Sequence, residues 1–380
     1  MKNSKKPRFL LIGGFASSLI NFRGPLLKRL VQDFEVYAAA PHIDEVTRAK
    51  VEQIGAICIS TEFERTGLNP VKDLKALSKF RKQIKAIQPN VVLAYTIKPV
   101  VFGLKAAKLK GVKRYALITG KGSGFDENSL KSKAVSKVVK GLYRDTLRSV
   151  DGVIFQNKDD QAFFIDNELI TSLANSTVIE GTGVDMSHYR LPSEPSVPTK
   201  LKFLFIARLI KEKGIPELVQ ASKILREKGY DFEIQLLGWV DPNPGGLSQQ
   251  EVDQLHESGI VNYLGTTDDV RPFISASDVF VLPSYYNEGL PRTIQEAMAM
   301  KKPIITTDHP GCRETVVEGR NGFLIPVKNA SALADAMEYF IKQPEEVINM
   351  GLHSFEMAKD KFDVNKINER LLKFMRLNDV

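Results

Sequence analysis

The stretch VFVLPSYYNEGLPRTIQEAMAMKKPIITT, residues Val279–Thr307, predicts a strand, a loop, a helix and a second strand in that order. It begins with Val279–Pro283, a short apolar run that contains β-branched valines, as expected of a buried strand. Pro291 suits the first turn of the helix, where its missing N–H group costs no hydrogen bond, and Pro303 begins the second strand. Two parallel strands joined by a crossover helix follow from this order.

A polar loop, Ser284–Gly289, follows the first of these strands. Parallel sheets bind ligands beyond the carboxyl ends of their strands, which is where this loop would lie. Glu288 would stand in the loop, and Glu296 about two turns into the helix. The free backbone N–H groups near Pro291–Ile294 would face an anion. On spacing alone, an amphipathic helix with two solvated glutamates explains the pattern equally well.

Length and composition indicate an ordinary globular protein. The chain has 380 residues, 26% of them charged, and no low-complexity tract, so two domains are expected. Its two cysteines, Cys58 and Cys312, are far apart and form neither a disulfide framework nor a zinc-binding pattern, which fits a reducing cytosol. The opening residues lack a signal-peptide pattern, and we expect no membrane span because no run of about 18 apolar residues exists.

The positive charge is concentrated in the N-terminal half. Residues 1–190 contain 31 Lys and Arg against 18 Asp and Glu, whereas the remainder contains 22 against 27, which together give the net charge of +8. Such a basic half favours an anionic partner, either a nucleic acid or an anionic membrane surface. A solvated basic surface is the alternative.

Strands and helices alternate along residues 1–190, which predicts a parallel, doubly wound sheet with right-handed crossovers. The segment Arg190–Lys200, with three prolines and two serines, marks a domain boundary. We therefore expect an α/β protein with an N-terminal domain of residues 1–190, a C-terminal domain of residues 191–362 and a last helix in residues 363–380. The predicted strands of the first domain are Arg8–Gly13, Phe34–Ala40, Ala56–Ser60, Asn90–Tyr95, Arg114–Ile118, Asp151–Phe155 and Thr177–Ile179.

Three loops at strand ends of this domain carry glycine or lysine. Gly13 and Gly14 end the first strand and would let the backbone approach a ligand closely. Lys98 lies in AYTIKP, after the fourth strand, and would point into a ligand cleft. The third loop, ITGKGSGF, contains Gly120 and Lys121. For Lys98, a solvated surface lysine is the alternative interpretation.

The segment Leu130–Val150, LKSKAVSKVVKGLYRDTLRSV, is predicted to be a basic amphipathic helix. Its apolar face would consist of Val135, Val138, Val139, Leu142 and Val150. Its opposite face would consist of Lys133, Lys137, Lys140, Arg144 and Arg148. Such a helix is typical of a membrane surface, where each basic residue near an anionic leaflet contributes about 1 kcal/mol. A core-packing helix with a solvated basic face is the alternative.

Motifs along the chain resemble those of the family 4 retaining glycosyltransferases. Glu288 and Glu296 match the E-x7-E signature within NEGLPRTIQEAMA, and Arg208 and Lys213, in RLIKEKG, match the R-x4-K pair. GTGVDMSHY resembles the N-G-V-D-x-x-x-F segment, with Thr182 in place of asparagine. HPGCRETV and GRNGFLIP resemble further segments of the C-terminal half. The resemblance implies the GT-B architecture, in which two Rossmann-like domains face each other across a cleft. It also implies that the last helix, in residues 363–380, packs toward the N-terminal domain.

The resemblance also implies a role for each of these residues. Arg208 and Lys213 would hold the diphosphate of a nucleotide sugar and stabilise its negative charge as it departs, without a metal. Glu296 would accept hydrogen bonds from the ribose hydroxyls, and Glu288 would contact hydroxyls of the donor sugar. Together with Lys98, the residues Arg208, Lys213 and Glu288 make up the expected catalytic set. The expected donor-binding residues are Gly14, Arg208, Lys213, Gly238, Leu264, Leu290, Pro291, Thr293, Ile294 and Glu296.

A sugar linked to polyprenyl diphosphate, at the cytoplasmic face of the inner membrane, is the expected acceptor. The basic N-terminal half favours it, and the loops look most like those of bacterial enzymes that build surface polysaccharides or lipid-linked glycans. UDP-GalNAc or UDP-GlcNAc is the leading donor. We expect no metal, no other cofactor and no nucleic-acid partner. Many family members carry a histidine in this region, where Ile97 or its neighbours stand here, so the catalytic residue of this domain stays open. The expected acceptor- and membrane-binding residues are Asn21, Arg23, Lys98, Gly120, Lys121, Lys133, Lys137, Lys140 and Arg144.

Two other functions fit part of the pattern. A GT-B epimerase of nucleotide sugars would use the donor site without an acceptor and would not need a basic amphipathic helix. A nucleic-acid-binding protein would place aromatic residues between the cations of an exposed face, an arrangement that the sequence lacks. Salt-dependent DNA binding would test the latter.

Overall fold

The computed structural model describes residues 6–63, 70–125, 129–170, 175–241 and 245–377. The chain divides into two compact units, each built on one parallel sheet. The first unit comprises Met1–Thr182 and Asn365–Val380, and the second comprises Gly183–Val364. These two sheets confirm the predicted α/β fold with two Rossmann-like, doubly wound domains.

The sheet of the first unit consists of β1 (Arg8–Ile12), β2 (Glu35–Pro41), β3 (Ile57–Thr61), β4 (Val91–Tyr95), β5 (Lys113–Ile118), β6 (Gly152–Phe155) and β7 (Ser176–Val178). Its strands lie parallel in the order β3-β2-β1-β4-β5-β6-β7. Every residue of β4 is buried, since helices cover both faces of the sheet. The order reverses between β1 and β4, and open α/β sheets bind ligands at the carboxyl ends of such strands.

Helices flank this sheet and bury its two faces in separate apolar clusters. One cluster contains Phe63, Phe80 and Phe102, and the other contains Leu27 and Leu30. A short π-helical segment, Pro99–Gly103, precedes the fifth helix. The helices are α1 (Ser18–Asn21), α2 (Gly24–Asp33), α3 (Glu45–Ile54), α4 (Pro70–Ile87), α5 (Leu104–Ala106), α6 (Leu130–Leu147) and α7 (Lys158–Asp166).

The sheet of the second unit consists of β8 (Lys202–Ile206), β9 (Glu233–Leu237), β10 (Asn262–Tyr263), β11 (Val279–Leu282), β12 (Ile304–Thr307) and β13 (Gly322–Ile325). The strands are parallel in the order β10-β9-β8-β11-β12-β13. The two strands predicted in Val279–Thr307 are β11 and β12, which pair directly. The order reverses between β8 and β11, so this sheet also has a crevice for ligands at its carboxyl edge.

The helices of the second unit pack around one continuous apolar core. They are α8 (Ile215–Glu227), α9 (Gln249–Glu257), α10 (Arg271–Ala276), α11 (Arg292–Ala299), α12 (Ala330–Lys342) and α13 (Glu346–Met357). α11 is the crossover helix between β11 and β12. Pro291 precedes it as the N-cap residue in an extended conformation, so the helix begins one residue after the predicted proline.

The chain returns to the first unit in its last helix, α14 (Val364–Phe374). Ile367 and Leu371 of this helix are buried in the cluster that covers one face of the first sheet. The Tyr115 hydroxyl on β5 donates a hydrogen bond to the Met375 carbonyl oxygen at 3.0 Å, just after the helix. Apolar packing and this hydrogen bond hold the C-terminal segment within the first unit.

The helix predicted over Leu130–Val150 is α6, but its buried face differs from the predicted one. Val135 and Val138, expected on the apolar face, are 40% and 53% exposed. The Thr146 hydroxyl instead faces inward and donates a hydrogen bond to the Val101 carbonyl oxygen at 3.3 Å. The prediction holds for Val139, Leu142 and Val150, which pack in the core cluster, but it was wrong for Val135 and Val138, because small polar side chains and a tyrosine fill part of the side toward the sheet. The buried residues of α6 are Ser136, Val139, Tyr143, Thr146 and Leu147.

Candidate functional site

Three loops at the carboxyl ends of neighbouring strands form a candidate ligand site in the second unit. Residues 207–213 follow β8, residues 238–241 follow β9 and residues 284–289 follow β11. Because β8 pairs with both β9 and β11, these loops meet at one edge of the sheet. They bring two cations, two carboxylates and a tyrosine together.

Arg208 stands just after β8 and is half-buried. Its Nη1 atom donates a hydrogen bond to Asp241 Oδ2 at 3.0 Å, and its guanidinium carbon lies 5.0 Å from the centroid of the Tyr286 ring. Burial lowers the pKa of Arg208, but its interactions with Tyr286 and Asp241 outweigh burial and raise that pKa above its usual value. Arg208 is therefore a permanent positive charge at this edge.

Lys213 ends a short 3-10 turn and is buried. Its ammonium group donates a hydrogen bond to the Glu288 carboxylate and lies 5.4 Å from the centroid of the Tyr286 ring. Gly214 follows with a φ of 84°, and a Cβ atom there would lie 2.2 Å from the Pro283 carbonyl oxygen. Only glycine lets this turn pack so closely on the loop after β11, which brings Lys213 beside Glu288.

Each of the two predicted cations is paired with a carboxylate. Glu288, the first glutamate of E-x7-E, accepts hydrogen bonds from Lys213 and, at 3.2 Å, from the Ser284 hydroxyl. Asp241 has a side chain that is only 5% exposed, and it pairs with Arg208. An anion that reaches the two cations would have to replace these carboxylates.

Glu296, the second glutamate of E-x7-E, is buried on α11. Its Oε1 atom accepts a hydrogen bond from the Tyr189 hydroxyl at 2.8 Å and lies 2.8 Å from Arg292 Nε. Burial raises the pKa of Glu296, although Arg292 and Tyr189 both act in the opposite direction. The two glutamates therefore occupy different environments, with Glu288 half-buried in the loop and Glu296 enclosed.

At the start of α11, a ligand would contact backbone groups rather than side chains. Ile294 is fully buried and Leu290 is almost so, which leaves only their backbone groups for an anion. Pro291 is the N-cap residue, and Thr293 is half-buried in the first turn. Proline has no side-chain oxygen and does not cap the helix, and the N-terminus of a helix is suited to an anion.

The end of β9 passes very close to the end of β8. Gly238 has a φ of 153°, and a Cβ atom there would lie 1.8 Å from the Ala207 carbonyl oxygen, so only glycine fits. Leu264, after β10, is half-buried at the same edge. Trp239, the only tryptophan in the sequence, is 52% exposed. Residues 242–244 of the loop that follows lie outside the described residues.

In the first unit, two glycines make room for side chains at the end of β4. A Cβ atom on Gly13 would lie 2.4 Å from the Tyr95 hydroxyl oxygen, and one on Gly14 would lie 2.3 Å from Thr96 Oγ1. Thr96 has a φ of 69°, which is unusual for a β-branched residue. This packing requires both glycines even without a ligand, and donor binding by Gly14 stays a prediction.

Lys98 is buried, and its Nζ atom donates a hydrogen bond to Asp73 Oδ1 at 2.9 Å. The two side chains are 8% and 5% exposed, so they form an enclosed ion pair between the loop after β4 and the first turn of α4. Such a pair is structurally important because removal of one partner leaves a buried charge. Contact between Lys98 and a substrate stays a prediction.

The other loop residues predicted to bind an acceptor differ in their exposure. Arg23 is buried, with its guanidinium carbon 4.9 Å from the centroid of the Tyr95 ring, whereas Asn21 is exposed. Gly120 has a φ of 118°, which suits glycine, and Lys121 is half-buried with its Nζ atom 4.8 Å from the centroid of a phenylalanine ring. Asn21 and Lys121 are therefore more accessible to an acceptor than Arg23.

The basic residues of α6 fall into two groups. Lys133 and Lys137 are exposed to solvent. Lys140 is half-buried, with its Nζ atom 5.5 Å from the centroid of a phenylalanine ring. Arg144 donates hydrogen bonds to two backbone carbonyl oxygens just after α7, at 2.8 and 3.1 Å. Lys133 and Lys137 thus remain available to a partner, while Arg144 connects two helices.

Four residues around the candidate site had no role assigned to them from the sequence. Tyr286 faces both cations, Asp241 pairs with one of them, and Tyr189 and Arg292 bind Glu296. The position of Tyr286 within the loop of the E-x7-E signature was the one local signal that could have indicated it. Arg292 lies between the two glutamates of that signature, and Tyr189 ends the segment GTGVDMSHY, but the contact of Tyr189 with Glu296 and that of Asp241 with Arg208 arise only from the tertiary fold.

Two kinds of feature are absent from the described part of the chain. No helix there combines the length and the apolar content that a membrane span requires. Within the same residues, no group of three or more His, Cys, Asp and Glu side chains is arranged to hold a metal ion.

Two family models match the chain, one in each half. The model described as "Glycosyl transferase 4-like" matches residues 26–157. The model described as "Glycosyl transferases group 1" matches residues 191–354, which include every residue of the site in the second unit except Tyr189.

One similar protein matches nearly the whole chain, and another matches less than half of it. The N,N'-diacetylbacillosaminyl-diphospho-undecaprenol alpha-1,3-N-acetylgalactosaminyltransferase of Campylobacter jejuni is 29% identical over 370 residues, which cover 94% of this chain and 95% of that protein. The capsular polysaccharide biosynthesis glycosyltransferase CapM of Staphylococcus aureus is 29% identical over 167 residues, or 44% of this chain and 43% of CapM.

Solved structures with the same fold also cover the whole chain. The sucrose-phosphate synthase of Thermosynechococcus elongatus superposes with a TM-score of 0.77 at 18% identity and covers 98% of each chain. Anabaena Alr3699/HepE in complex with UDP superposes with a TM-score of 0.75 at 20% identity, covering 97% of this chain and 99% of that chain. The predicted resemblance is confirmed, and the chain belongs to the glycosyltransferases of the GT-B fold, with a 4-like N-terminal half and a group 1 C-terminal half.

Proposed function

We propose that this chain is a retaining glycosyltransferase that moves a sugar from a UDP-sugar to a glycan linked to polyprenyl diphosphate. GalNAc and GlcNAc are the leading donor sugars. The observation that carries the proposal is the pair of cations, Arg208 and Lys213, which face one tyrosine ring at the carboxyl edge of the second sheet. Two cations on loops beside the N-terminus of a helix suit the diphosphate of a nucleotide sugar.

The departure of UDP is the step that these cations would assist. Negative charge grows on the diphosphate as its bond to the sugar breaks, and fixed cations stabilise that charge most strongly in the transition state. Arg208 contributes a planar fork of donors, and Lys213 a movable point charge. Glu288, which binds Lys213 in the structure, would be released by the diphosphate and could then accept hydrogen bonds from hydroxyls of the donor sugar. The proposal requires no metal ion and no other cofactor.

Retention of the anomeric configuration would follow from attack on the face that UDP leaves. The acceptor oxygen forms a bond to the anomeric carbon while the bond to the β-phosphate oxygen breaks, and that phosphate oxygen takes the acceptor proton. Atoms and charges balance without a protein nucleophile. Glu296 would meanwhile hold the ribose hydroxyls of the donor, with its carboxylate oriented by Tyr189.

Known relatives support the donor and the acceptor. A structure with the same fold was solved with UDP bound. The Campylobacter jejuni relative is named as an N-acetylgalactosaminyltransferase that acts on a sugar joined to undecaprenol through a diphosphate. Because similarity to it extends over nearly the whole chain, a lipid-linked acceptor is the first class to test.

A lipid-linked acceptor requires the enzyme to work at a membrane surface. α6 exposes Val135 and Val138 together with Lys133 and Lys137, and α4 exposes Val71 at 78%. Apolar side chains beside basic ones favour peripheral binding to an anionic leaflet. These features support a peripheral location at the cytoplasmic face of the inner membrane, and nucleic acid is not a proposed partner.

The test is turnover of a panel of UDP-sugars with and without a polyprenyl-diphosphate-linked sugar. We expect a glycosylated lipid product with the α or β configuration of the donor retained, and equal activity after treatment with EDTA. A changed donor sugar in the absence of acceptor would instead indicate an epimerase. No turnover together with no binding of UDP would refute the proposal.

Variants of the two cations make the test specific to the site. Arg208→Ala and Lys213→Ala should each lower activity at least about a hundredfold, as removal of one group that stabilises transition-state charge does. Lys211→Ala is the matched control, because Lys211 is an exposed cation two residues before Lys213 on the same turn. Equal activity of all three variants would refute the assigned roles.

A further inference from the structure

The ring of Tyr286 contacts both cations of the donor site. Arg208 Cζ lies 5.0 Å and Lys213 Nζ 5.4 Å from its centroid, and both distances are within the range of cation–π attraction. Hydrogen bonds of the loop hold the backbone of Tyr286. The Tyr286 N–H group donates a hydrogen bond to Ser284 Oγ at 3.2 Å, and the Tyr286 carbonyl oxygen accepts one from the Glu288 N–H group at 2.8 Å.

Two positive charges held close together require compensation before a ligand arrives. Asp241 and Glu288 supply part of it, but a carboxylate competes with phosphate oxygens for the same N–H donors. An aromatic face differs in this respect, because it attracts a cation through its quadrupole and carries no net charge that would repel an anion. Tyr286 can therefore remain in contact with both cations while the carboxylates are replaced.

Lysine and arginine side chains are flexible and lose rotamer freedom when they bind a ligand. A ring that already holds both of them in place removes part of this cost from binding. We propose that Tyr286 is a positioning residue, whose ring holds both Arg208 and Lys213 so that the two cations can bind the nucleoside diphosphate of the donor at once. This inference rests on the proposed function, in which these cations bind the diphosphate of the donor.

The test compares binding of UDP and of uridine to the full chain by calorimetry. Tyr286→Leu removes the ring and should weaken UDP binding about tenfold, the loss of two partly buried cation–π contacts, while uridine affinity stays the same. Tyr286→Phe keeps the ring and should restore UDP affinity to within about threefold of the natural protein. Rescue by phenylalanine would identify the aromatic face as the active group.

Tyr285→Leu is the matched control. Tyr285 precedes Tyr286 in the same loop, but its ring lies 4.8 Å from Lys328 Nζ and not beside the donor cations. Its replacement should leave UDP affinity within about twofold of the natural protein if the effect belongs to Tyr286 alone. Melting temperatures of all variants establish that each is folded before affinities are compared.

Combination with the cation variants separates this inference from the proposed function. In the Arg208→Ala, Lys213→Ala background, Tyr286→Leu should cause no further loss of UDP affinity, because the ring acts through these cations. Two results would overturn the role of Tyr286 alone: equal UDP affinity of the Tyr286→Leu and Tyr285→Leu variants, or equal losses for UDP and uridine. Unchanged UDP affinity in the double cation variant would overturn both the inference and the proposed function.

Discussion

Tyr189 and Glu296 are 107 residues apart in the sequence, but the Tyr189 hydroxyl donates a hydrogen bond of 2.8 Å to the Glu296 carboxylate. A buried carboxylate needs such partners, since burial without them is costly. At the scale of single residues, Tyr189 therefore fixes the direction in which the remaining lone pairs of Glu296 point. If these lone pairs bind ribose, loss of the Tyr189 hydroxyl should weaken the contacts between Glu296 and the ribose hydroxyls.

We expect Tyr189→Phe to weaken UDP binding about tenfold, the typical effect of one hydrogen bond to a charged group. Binding of 2'-deoxy-UDP should weaken less, because it lacks one of the hydroxyls that Glu296 would hold. The measurement is the ratio of the two dissociation constants by calorimetry. Tyr230→Phe is the matched control, as the Tyr230 hydroxyl donates a 2.7 Å hydrogen bond to Glu338. An unchanged ratio in Tyr189→Phe would contradict the assignment of Glu296 to the ribose.

A second prediction concerns the enclosed ion pair of Lys98 and Asp73. Lys98→Met should lower the free energy of unfolding by about 3–5 kcal/mol, because it leaves the Asp73 carboxylate buried beside an apolar side chain. The double variant Lys98→Met, Asp73→Leu should recover part of that loss, since it removes both charges. Urea denaturation followed by circular dichroism measures the difference.

Lys105 provides the control for this experiment. It pairs with Asp145, whose side chain is 71% exposed, so Lys105→Met should cost no more than about 1 kcal/mol. Full stability of Lys98→Met combined with a loss of transfer would contradict a structural role. That outcome would instead support contact between Lys98 and the acceptor.

At the scale of elements, α6 combines two surfaces that its sequence does not separate. One is buried and includes Val139 and Tyr143, and the other exposes Val135 and Val138 beside Lys133. Valines at helical spacing predicted one apolar face, but the protein core accepts polar side chains that find hydrogen-bond partners. The valines left outside are those available to a membrane.

The variant Val135→Ser, Val138→Ser should therefore bind less to vesicles that contain anionic phospholipid, with an unchanged melting temperature. Both valines are partly exposed, so their replacement removes little from the core. Lys133→Gln, Lys137→Gln should weaken binding further, by about 1 kcal/mol for each cation, and make it less sensitive to salt. Co-sedimentation with vesicles measures both effects.

Val139→Ser is the contrasting variant, because Val139 is 4% exposed and its replacement should lower the melting temperature instead. If the Val135→Ser, Val138→Ser variant binds vesicles as well as the natural protein does, this surface of α6 is excluded as the membrane contact. The membrane contact would then have to be sought elsewhere in the first unit, for example at Val71 and Leu74 of α4, which are 78% and 62% exposed.

At the scale of the whole molecule, the sequence allowed prediction of the elements better than of the contacts between them. Buried strands such as β11 could be recognised because apolar runs are local, and E-x7-E because both glutamates lie in one loop and helix. The partners of the cations could not be predicted in this way. Asp241 is 33 residues from Arg208, and Glu288 is 75 from Lys213, so only the arrangement of β8, β9 and β11 brings them together.

The last helix allows a prediction about the independence of the two units. Leu371 of α14 is 3% exposed in the core of the first unit, so Leu371→Ala should lower the stability of that unit by about 2–5 kcal/mol. The cations and glutamates of the donor site all belong to the second unit, so UDP affinity should not change. Leu352→Ala, at a position that is 43% exposed, is the control and should leave stability nearly unchanged.

Thermal unfolding with and without UDP measures this difference, because a ligand stabilises the part of the protein that binds it. In Leu371→Ala, the first transition should move to lower temperature while the shift caused by UDP stays as large as in the natural protein. A single transition, whose midpoint temperature is lowered by Leu371→Ala and raised by UDP, would mean that the two units unfold together. Loss of UDP binding below the first transition would show that the donor site depends on the first unit as well, and would extend the site beyond the loops after β8, β9 and β11.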